Sequence, residues 1–377
     1  MKQIRNIKMN NYKITVLPGD GIGPEIINQA IKVLDACAEK FDFKLTYDYK
    51  NIGAESIDKF NSPLTDDTIN SCLNADAILL GAVGDPKFDN NPNAKVRPEQ
   101  GLLKLRKTLD LFTNIRPIKI YSELSNLSPL KEKKLNNTDI VIYRELSSGL
   151  YFGERKSNSN EASDLCFYSK EEIIRVSKLA FEAAKNRRNK ICLVDKANVL
   201  DTSRLWRKTV QEISKDYPEV EVNYIYIDNA AMQLVVNPSQ FDVILTENMF
   251  GDILSDLASV LPGSLGLIPS SSIGTKTALF EPCHGSFPQA KGLDKANPIA
   301  TILSVAMMLD HLKEQEAANQ IRMAVNWSIK NELTSEDINK EAPLSCSMIG
   351  DLIALYISEN GDVNLKHQDL IRETFYI

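Results

Sequence analysis

The chain has 377 residues, of which 43% are hydrophobic and 25% are charged, so a disordered or fibrous protein is excluded. Its 44 basic and 50 acidic residues give a net charge of −6, which argues against a basic surface for nucleic acid. No stretch approaches about 18 consecutive apolar residues, so the sequence predicts no membrane span. At about 150 residues per domain, the length predicts two domains.

Cysteine usage predicts the cellular compartment. The six cysteines are scattered and show no zinc or redox spacing, and a chain of this size needs no disulfides. The first eight residues are basic but lack the apolar core of a secretory signal. We therefore expect free thiols and a cytoplasmic protein.

Short apolar runs alternate with longer helical patterns along the chain. The predicted strands are 13–17, 77–83, 140–143, 191–194, 224–227 and 243–245. The predicted helices are 24–40, 170–185, 202–215 and 298–312. This alternation predicts an α/β fold with ligands at the carboxyl ends of strands. The polar stretches 131–139 and 156–163 are predicted loops or arms, and no low-complexity linker separates two domains.

A glycine-rich loop, LPGDGIGPE, begins at Leu17 after the first predicted strand. Its three glycines permit close approach of the backbone to a ligand, and Pro24 suits the first turn of a helix. The spacing matches neither the G-x-G-x-x-G dinucleotide fingerprint nor a P-loop. A ligand-binding loop and a plain turn into a helix both remain open.

A predicted helix between residues 97 and 106 carries an unusual stripe. One side of this helix would present Glu99, Leu102, Leu103 and Arg106. Such a stripe would suit a ligand that has both a carboxylate and a branched apolar group. An ordinary core stripe formed by Leu102, Leu105 and Leu109, with solvated charges, is the alternative.

Two further arginines could bind carboxylates. Arg116 lies in the segment NIRP, and Arg144 ends an apolar strand. The planar guanidinium fork matches a carboxylate in a way that lysine cannot. Each arginine taken singly could equally be a surface residue.

Three aspartates are candidate metal ligands. Asp252 and Asp256 are four residues apart, so both carboxylates face one side of a predicted helix, an unfavourable pairing unless a cation compensates. Asp228 ends a predicted strand. Carboxylate oxygens suit Mg²⁺ or Mn²⁺. Asp252 could also simply favour the start of the helix through the helix dipole.

A lysine and a tyrosine form a candidate base and acid pair. Lys196 follows a predicted strand, and Tyr151 lies between two glycines in an apolar stretch. Lysine acts as a base when burial lowers its pKa. His284, in the segment EPCHGS, is one of three histidines, and a lone histidine is more often structural than catalytic.

Together these segments resemble the β-decarboxylating dehydrogenases, the family of 3-isopropylmalate and isocitrate dehydrogenases. Eight motifs occur in the family's order: LPGDGIGPE, RPEQGLLKLRK, NIRP, YFGER, DKANVL, DNAAMQLV, FGDILSDLASVLPGSLGLIPS and EPCHGS…DKANP. Isocitrate dehydrogenases have polar residues where this sequence has Leu102 and Leu103. The resemblance therefore implies a substrate with an isopropyl group, because two leucines can bury an alkyl group but cannot satisfy a buried carboxylate.

The implied reaction is the oxidative decarboxylation of 3-isopropylmalate to 2-oxoisocaproate with reduction of NAD, in leucine biosynthesis. Tyr151 and Lys196 would be the acid and the base. The implied substrate contacts are Arg106, Arg116, Arg144, Asp228, Leu102, Leu103 and Val199. The implied ligands of Mg²⁺ or Mn²⁺ are Asp228, Asp252 and Asp256. The implied cofactor contacts are Glu99, His284, Gly285, Ser286, Phe287, Pro288, Gln289, Ala296 and Asn297.

The resemblance also implies the architecture. A two-domain α/β fold with parallel or mixed sheets and no classical Rossmann fingerprint would divide the chain into 1–111 plus 263–377 and 112–262. In a homodimer, Lys196 and Asp228 would reach the partner's site, and residues 151–164 would form an interlocking arm.

One departure and three alternatives remain. Gln289 stands where NAD-dependent members have an aspartate, which keeps NAD favoured but leaves NADP open. A relative acting on isocitrate, homoisocitrate or tartrate is disfavoured by Leu102 and Leu103. A catalytically silent regulatory subunit is disfavoured because every acid, base and metal position is filled.

Overall fold

A ten-stranded mixed sheet organises the part of the chain that the computed structural model describes, residues 10–89 and 96–363. The strands are β1 (Asn11–Gly19), β2 (Lys44–Tyr49), β3 (Ala77–Ala82), β4 (Leu111–Lys119), β5 (Asp139–Glu145), β6 (Arg155–Ser157), β7 (Ala162–Asp164), β8 (Lys190–Asp195), β9 (Glu221–Tyr226), β10 (Val243–Thr246), β11 (Pro269–Gly274) and β12 (Ala278–Pro282). β6 and β7 form a separate antiparallel hairpin.

Helices cover the sheet. They are α1 (Gly23–Phe41), α2 (Ala54–Phe60), α3 (Asp66–Leu73), α4 (Pro86–Asp89), α5 (Pro98–Thr108), α6 (Glu132–Leu135), α7 (Lys170–Lys185), α8 (Asp201–Ile213), α9 (Ile227–Val236), α10 (Asn248–Ser259), α11 (Ile299–His311), α12 (Gln315–Lys330) and α13 (Cys346–Ser358). None of those in the described ranges has the length and apolar character needed to cross a bilayer.

The sheet consists of two parallel halves that run in opposite directions. The strand order is β2-β1-β3-β12-β11-β4-β5-β10-β8-β9. The first four strands are mutually parallel, as are the last four, and β11 and β4 join the halves through antiparallel pairings. Every residue of β3 is buried, as expected for a parallel strand covered on both faces. The predicted α/β fold with a mixed sheet is confirmed.

The predicted elements occur in the predicted places, with corrections at their ends. The strand predicted to end at residue 227 stops at Tyr226, because Ile227 begins α9. Asp228 therefore lies in the first turn of a helix and does not end a strand. The predicted loop 131–139 contains the short helix α6, and β6 and β7 lie within the predicted arm 151–164. The basic leader and the last residues of the predicted first domain lie outside the described residues.

Candidate active site

Three arginines from three separate elements converge. Arg106 comes from the last turn of α5, Arg116 from the middle of β4 and Arg144 from the end of β5. Burial lowers the pKa of Arg144 to about 10; the charge of Asp252 opposes this shift, and the charges of Arg116 and Arg106 add to it. Three guanidinium groups within electrostatic reach of one another form a site for an anion with more than one carboxylate.

Two aspartates of α10 face this cluster. Arg144 Nη1 donates a hydrogen bond to Asp252, and Arg116 Nη1 donates one to Asp256 Oδ1 over 3.0 Å. The Tyr151 hydroxyl donates to Asp252 Oδ2 over 2.9 Å. The side chain of Asp256 is 77% exposed, so its carboxylate is open to a cation. The structure thus brings the three arginines, these two aspartates and Tyr151 into one place.

Tyr151 is held as a proton donor. Burial raises the pKa of its hydroxyl, and the hydrogen bond to Asp252 raises the pKa further. The ring lies 5.8 Å from the guanidinium carbon of Arg144, measured to the ring centroid. A protonated phenol beside a carboxylate can serve as a general acid.

A buried carboxyl group that the sequence did not reveal shapes the loop leading to Tyr151. Glu145, fully buried at the end of β5, accepts hydrogen bonds from Ser147 N over 2.8 Å and from Ser148 N over 2.9 Å. Burial raises the pKa of Glu145 to about 7, while these hydrogen bonds oppose the shift. The pair Ser147-Ser148 directly after the strand could have indicated this turn, because short polar side chains favour turns.

This pKa gives a pH-dependent stability. A carboxyl whose folded-state pKa is raised stabilises the fold fully below its ordinary pKa of 4.5, and this contribution is lost as the pH rises through about 7. The free energy of unfolding of Glu145→Gln minus that of the unmodified protein should therefore rise by up to about 3 kcal/mol between about pH 4.5 and pH 8. Chemical denaturation across this range measures the difference. The same substitution at the exposed Glu161 is the control for replacing a glutamate, and a flat difference for Glu145→Gln would contradict the assignment.

Lys196 and Asp228 pair with each other. Lys196 Nζ donates to Asp228 Oδ1, and this bond lowers the pKa of the Asp228 carboxyl. Val199 lies on the same loop and is 61% exposed. Among the described residues, no group of three His, Cys, Asp or Glu side chains is close enough to hold a metal ion. Within one chain, Asp228 therefore does not join Asp252 and Asp256.

Helix α5 serves both the core and the site. Leu105 and Leu109 are buried in a core cluster, and Leu102 packs against its edge. Leu103, by contrast, is 42% exposed. One turn further on, Arg106 Nη2 donates to Glu281 Oε1 over 2.8 Å. The predicted core stripe and the predicted ligand stripe are thus neighbouring faces of the same helix.

The glycine-rich loop is a scaffold. The buried carboxylate of Asp20 accepts hydrogen bonds from the backbone amides of Ala54, Glu55 and Gly84. An added Cβ at Gly21 would lie 1.9 Å from the Ser286 carbonyl oxygen. The loop makes a tight turn into α1, its Ile22 amide donates a hydrogen bond to the Ser286 carbonyl, and the Ile22 residue lies on the wall of the cleft beside residues 284–297.

A cleft of about 880 Å³ lies beside that segment. Of the predicted cofactor contacts, those on its wall are His284, Gly285, Phe287, Gln289, Ala296 and Asn297. Phe287 is 56% exposed and offers an apolar surface. His284 Nε2 is buried and has no hydrogen-bond partner in the described part of the chain, and burial lowers the pKa of the ring. A neutral imidazole and an exposed aromatic ring can receive a ligand with polar and flat parts.

The other three predicted cofactor residues lie off this wall. Ser286 accepts the Ile22 amide through its carbonyl, and Pro288 begins a short 3₁₀ turn. Glu99 is exposed on α5. Its Oε1 and the Oγ of Ser286 both lie beside Gly84, at 3.1 Å and 3.5 Å from the position that an added Cβ on Gly84 would occupy. The wall also includes Asp337, which accepts hydrogen bonds from Ser264, Asn297 and Ser335 and which no sequence motif indicated.

Comparison with known proteins agrees with this geometry. The family model described as isocitrate/isopropylmalate dehydrogenase matches residues 13–353. A protein of Wolinella succinogenes named 3-isopropylmalate dehydrogenase is 50% identical over 359 residues, covering 94% of this chain and 100% of that protein. One of Thermotoga maritima with the same name is 51% identical over 353 residues, covering 92% and 99%.

Solved structures show the same architecture. The crystal structure of isocitrate dehydrogenase from Methylococcus capsulatus superposes with a TM-score of 0.82 at 34% identity, covering 92% of this chain and 99% of that one. A β-decarboxylating dehydrogenase from Thermococcus kodakarensis gives a TM-score of 0.77 at 36% identity, covering 92% and 96%. With its motifs, fold and match along most of its length in agreement, the chain belongs to the isocitrate/isopropylmalate dehydrogenase family.

Proposed function

We propose that the protein is a 3-isopropylmalate dehydrogenase that converts 3-isopropylmalate to 2-oxoisocaproate and CO₂ in leucine biosynthesis. The observation that carries this proposal is the convergence of three guanidinium groups, one of which, that of Arg106, lies about one helical turn after the exposed Leu103 on α5. The substrate has two carboxylates and one isopropyl group, so it needs both kinds of contact. The names of the relatives from Wolinella and Thermotoga support the same substrate.

Substrate binding would combine charge and burial. Arg106, Arg116 and Arg144 would exchange their present contacts with protein carboxylates for contacts with the two carboxylates of the substrate. Leu102 and Leu103 would cover the isopropyl group, and each methylene-sized group buried is worth about 0.8 kcal/mol. A carboxylate placed there, as in isocitrate, would lose its hydration without gaining a partner.

The residues fit a divalent cation and a nicotinamide cofactor. Asp252 and Asp256 present hard oxygen ligands on one helix face, which suit Mg²⁺ or Mn²⁺, and the partner's Asp228 would complete the set. His284, Phe287 and the other residues of the cleft wall would hold NAD. When bound, NAD supplies the hydride acceptor and the cation supplies a Lewis acid for the oxygen on which negative charge develops.

Two side chains would move the protons. Lys196 would take the proton of the substrate hydroxyl while the hydrogen on the same carbon leaves as hydride. The resulting 2-oxo acid has a carboxylate β to its carbonyl, so CO₂ departs and leaves its bonding electrons on the substrate. Tyr151, kept protonated by burial and by Asp252, would donate a proton to the carbon that lost CO₂.

NAD is favoured over NADP because the described residues on the cleft wall offer no unpaired cation for a 2′-phosphate. Gln289 lies on the cleft wall and can donate to or accept from a ribose hydroxyl. It does not repel a 2′-phosphate as an aspartate would, so the discrimination should be modest. Lys295, the lysine on this wall, lies 3.7 Å from Glu336 in an ion pair that reduces its effect on a phosphate.

A homodimer would complete the site. The exposed apolar side chains on α9, on α10 and directly after α10 are Met232, Val235, Val236, Ile253 and Val260. Clustered exposed apolar surface of this kind marks protein interfaces, and a two-fold axis would pair it with itself. The same helices carry Asp228, Asp252 and Asp256. Their pairing across the axis would bring Lys196 and Asp228 to the partner's Asp252 and Tyr151.

We also propose the two-domain division 1–111 plus 263–377 and 112–262. One core cluster contains residues from the first and last parts of the chain, for example Ile14 and Ile353, and Tyr121 and Leu124 are its buried members from the middle among the described residues. A second cluster lies wholly within residues 141–245. A cytoplasmic location fits the six free cysteines.

The direct test is a steady-state assay with Mg²⁺ or Mn²⁺ and with either NAD or NADP. We expect kcat/KM for 3-isopropylmalate with NAD to exceed that for isocitrate by at least about 100-fold, the effect of forcing a carboxylate into an apolar pocket. A higher kcat/KM for isocitrate would contradict the substrate assignment. No turnover with any of these substrates would favour a catalytically silent subunit.

A further inference from the structure

A fully buried asparagine holds Arg144. Asn248, the first residue of α10, accepts hydrogen bonds at Oδ1 from Arg144 Nε over 3.1 Å and from Arg144 Nη2 over 2.8 Å. Its Nδ2 donates to the Ser148 carbonyl over 3.0 Å, three residues before Tyr151. Its backbone amide donates to the Tyr168 hydroxyl over 3.0 Å. One amide side chain therefore joins the arginine, the tyrosine loop and the helix of the aspartates.

A second buried asparagine holds Arg116 in the same way. Asn114, which is 1% exposed, accepts a hydrogen bond at Oδ1 from Arg116 Nε over 2.9 Å. Its Nδ2 donates to Ser270 Oγ over 2.9 Å and to the Ser271 carbonyl over 3.1 Å. In the sheet, Asn114 lies directly opposite Arg144. The two asparagines thus support neighbouring arginines from two sides.

We propose that Asn114 and Asn248 are positioning residues for substrate binding, which fix the Arg116 and Arg144 guanidinium groups without neutralising their charge. In each arginine the Nε edge is held by a neutral amide, while Nη1 extends to a carboxylate of α10. An amide accepts a hydrogen bond but adds no formal charge. Each Nε edge is therefore oriented without an added carboxylate, and the carboxylates that pair with Nη1 are the α10 aspartates proposed to bind the cation.

A structural arginine elsewhere in the same half of the sheet shows the contrast. Arg187 Nε donates over 2.7 Å to Asp242, whose side chain is completely buried just before β10. This carboxylate neutralises the guanidinium that it orients, whereas the amides of Asn114 and Asn248 add no charge. Asp242 lies at the opposite end of β10 from Asn248. The choice of acceptor, amide or carboxylate, follows the task of the arginine.

The proposal rests on the proposed function, and aspartate and alanine variants test it. Asn114→Asp and Asn248→Asp keep the size and the acceptor but add a negative charge and remove the amide donor. We expect each to raise KM and the calorimetric Kd for 3-isopropylmalate by about 10- to 100-fold, the range of one charged hydrogen bond. KM for NAD should stay within about twofold, since the cofactor cleft lies on another segment.

The substrate KM values of the Asn→Asp and Asn→Ala variants distinguish a role in preserving the charge of the arginines from a purely structural role. If charge preservation matters, Asn→Asp should raise the substrate KM more than Asn→Ala at the same position, although the aspartate keeps the acceptor. A purely structural role would instead make the rise in KM follow the loss of melting temperature, because both variants lose the amide donor to the Ser148 or Ser271 carbonyl and alanine also leaves a cavity. Asn→Asp variants that bind 3-isopropylmalate within twofold of the unmodified protein would also overturn the proposal. If one Asn→Asp variant does not fold, the other position carries the same comparison.

A matched control is Asp242→Asn, which changes a buried acceptor of an arginine far from the site. It should lower the melting temperature and leave the substrate KM unchanged. Failure of the proposed function is distinguished by the unmodified protein, which would then neither bind nor turn over 3-isopropylmalate. The Asn→Asp and Asn→Ala comparison would in that case be made with isocitrate, for which the same order is expected.

Discussion

Mixing two inactive variants, Lys196→Met and Tyr151→Phe, is expected to restore about a quarter of the wild-type activity. Each variant alone should lower kcat by about 10²- to 10⁴-fold, the usual contribution of a positioned acid or base. Unfolding and refolding the two together would produce heterodimers, and the dehydrogenase assay would measure the recovery.

The expected recovery follows from the arrangement of the side chains. In one chain, Tyr151 bonds to Asp252, whereas Lys196 bonds to Asp228. If the partner supplies Lys196, a heterodimer has one site with both native side chains and one site with neither. Random mixing makes about half of the dimers heterodimers, and half of their sites are intact, which gives the quarter.

The control is the double variant Lys196→Met/Tyr151→Phe mixed with the unmodified protein. Its heterodimers should have no site with both native side chains, so the activity should fall below that expected from simple dilution. Recovery that stays at the level of the two inactive variants would mean that each chain builds its site alone. The active site would then not require the proposed dimer.

Local spacing predicted those parts of the site that one element carries. Asp252 and Asp256 face the same cluster because four residues make about one helical turn. The convergence of Arg106, Arg116 and Arg144 has no such local cause, since they come from a helix and two strands. From the sequence, only the resemblance to a known family indicated that these three arginines share one site.

The supporting residues could not be predicted for the same physical reason. Asn248 and Arg144 are separated by 104 positions and meet only through the pairing of β10 with β5. Nothing in the sequence distinguishes Glu145 from an exposed glutamate at the end of a strand, and its raised pKa follows from its complete burial. The edge strand β2 was missed because its side chains alternate between exposed and half-buried, without an apolar run.

Replacing Asp252 by asparagine is expected to lower kcat/KM by at least about 10³-fold. The variant keeps the size of the side chain but removes the charge that pairs with Arg144, and it weakens the acceptor of the Tyr151 hydroxyl. It also replaces one of the proposed carboxylate ligands of the cation with a neutral amide oxygen, which binds the cation more weakly. Calorimetric titration with Mn²⁺ should show weaker binding, and binding at unmodified affinity would exclude Asp252 as a ligand.

Asp256→Asn provides the contrast that separates these roles. The Asp256 side chain is largely exposed, and its partner in the cluster is Arg116, so its loss should weaken the cation site without releasing Tyr151. Saturating Mn²⁺ should therefore restore much of the activity of Asp256→Asn but little of that of Asp252→Asn. Equal rescue of both variants would mean that Asp252 acts only through the cation. Unequal rescue would show that the carboxylate holding the metal also fixes the acid and the arginine, so that substrate, cation and proton donor depend on one side chain.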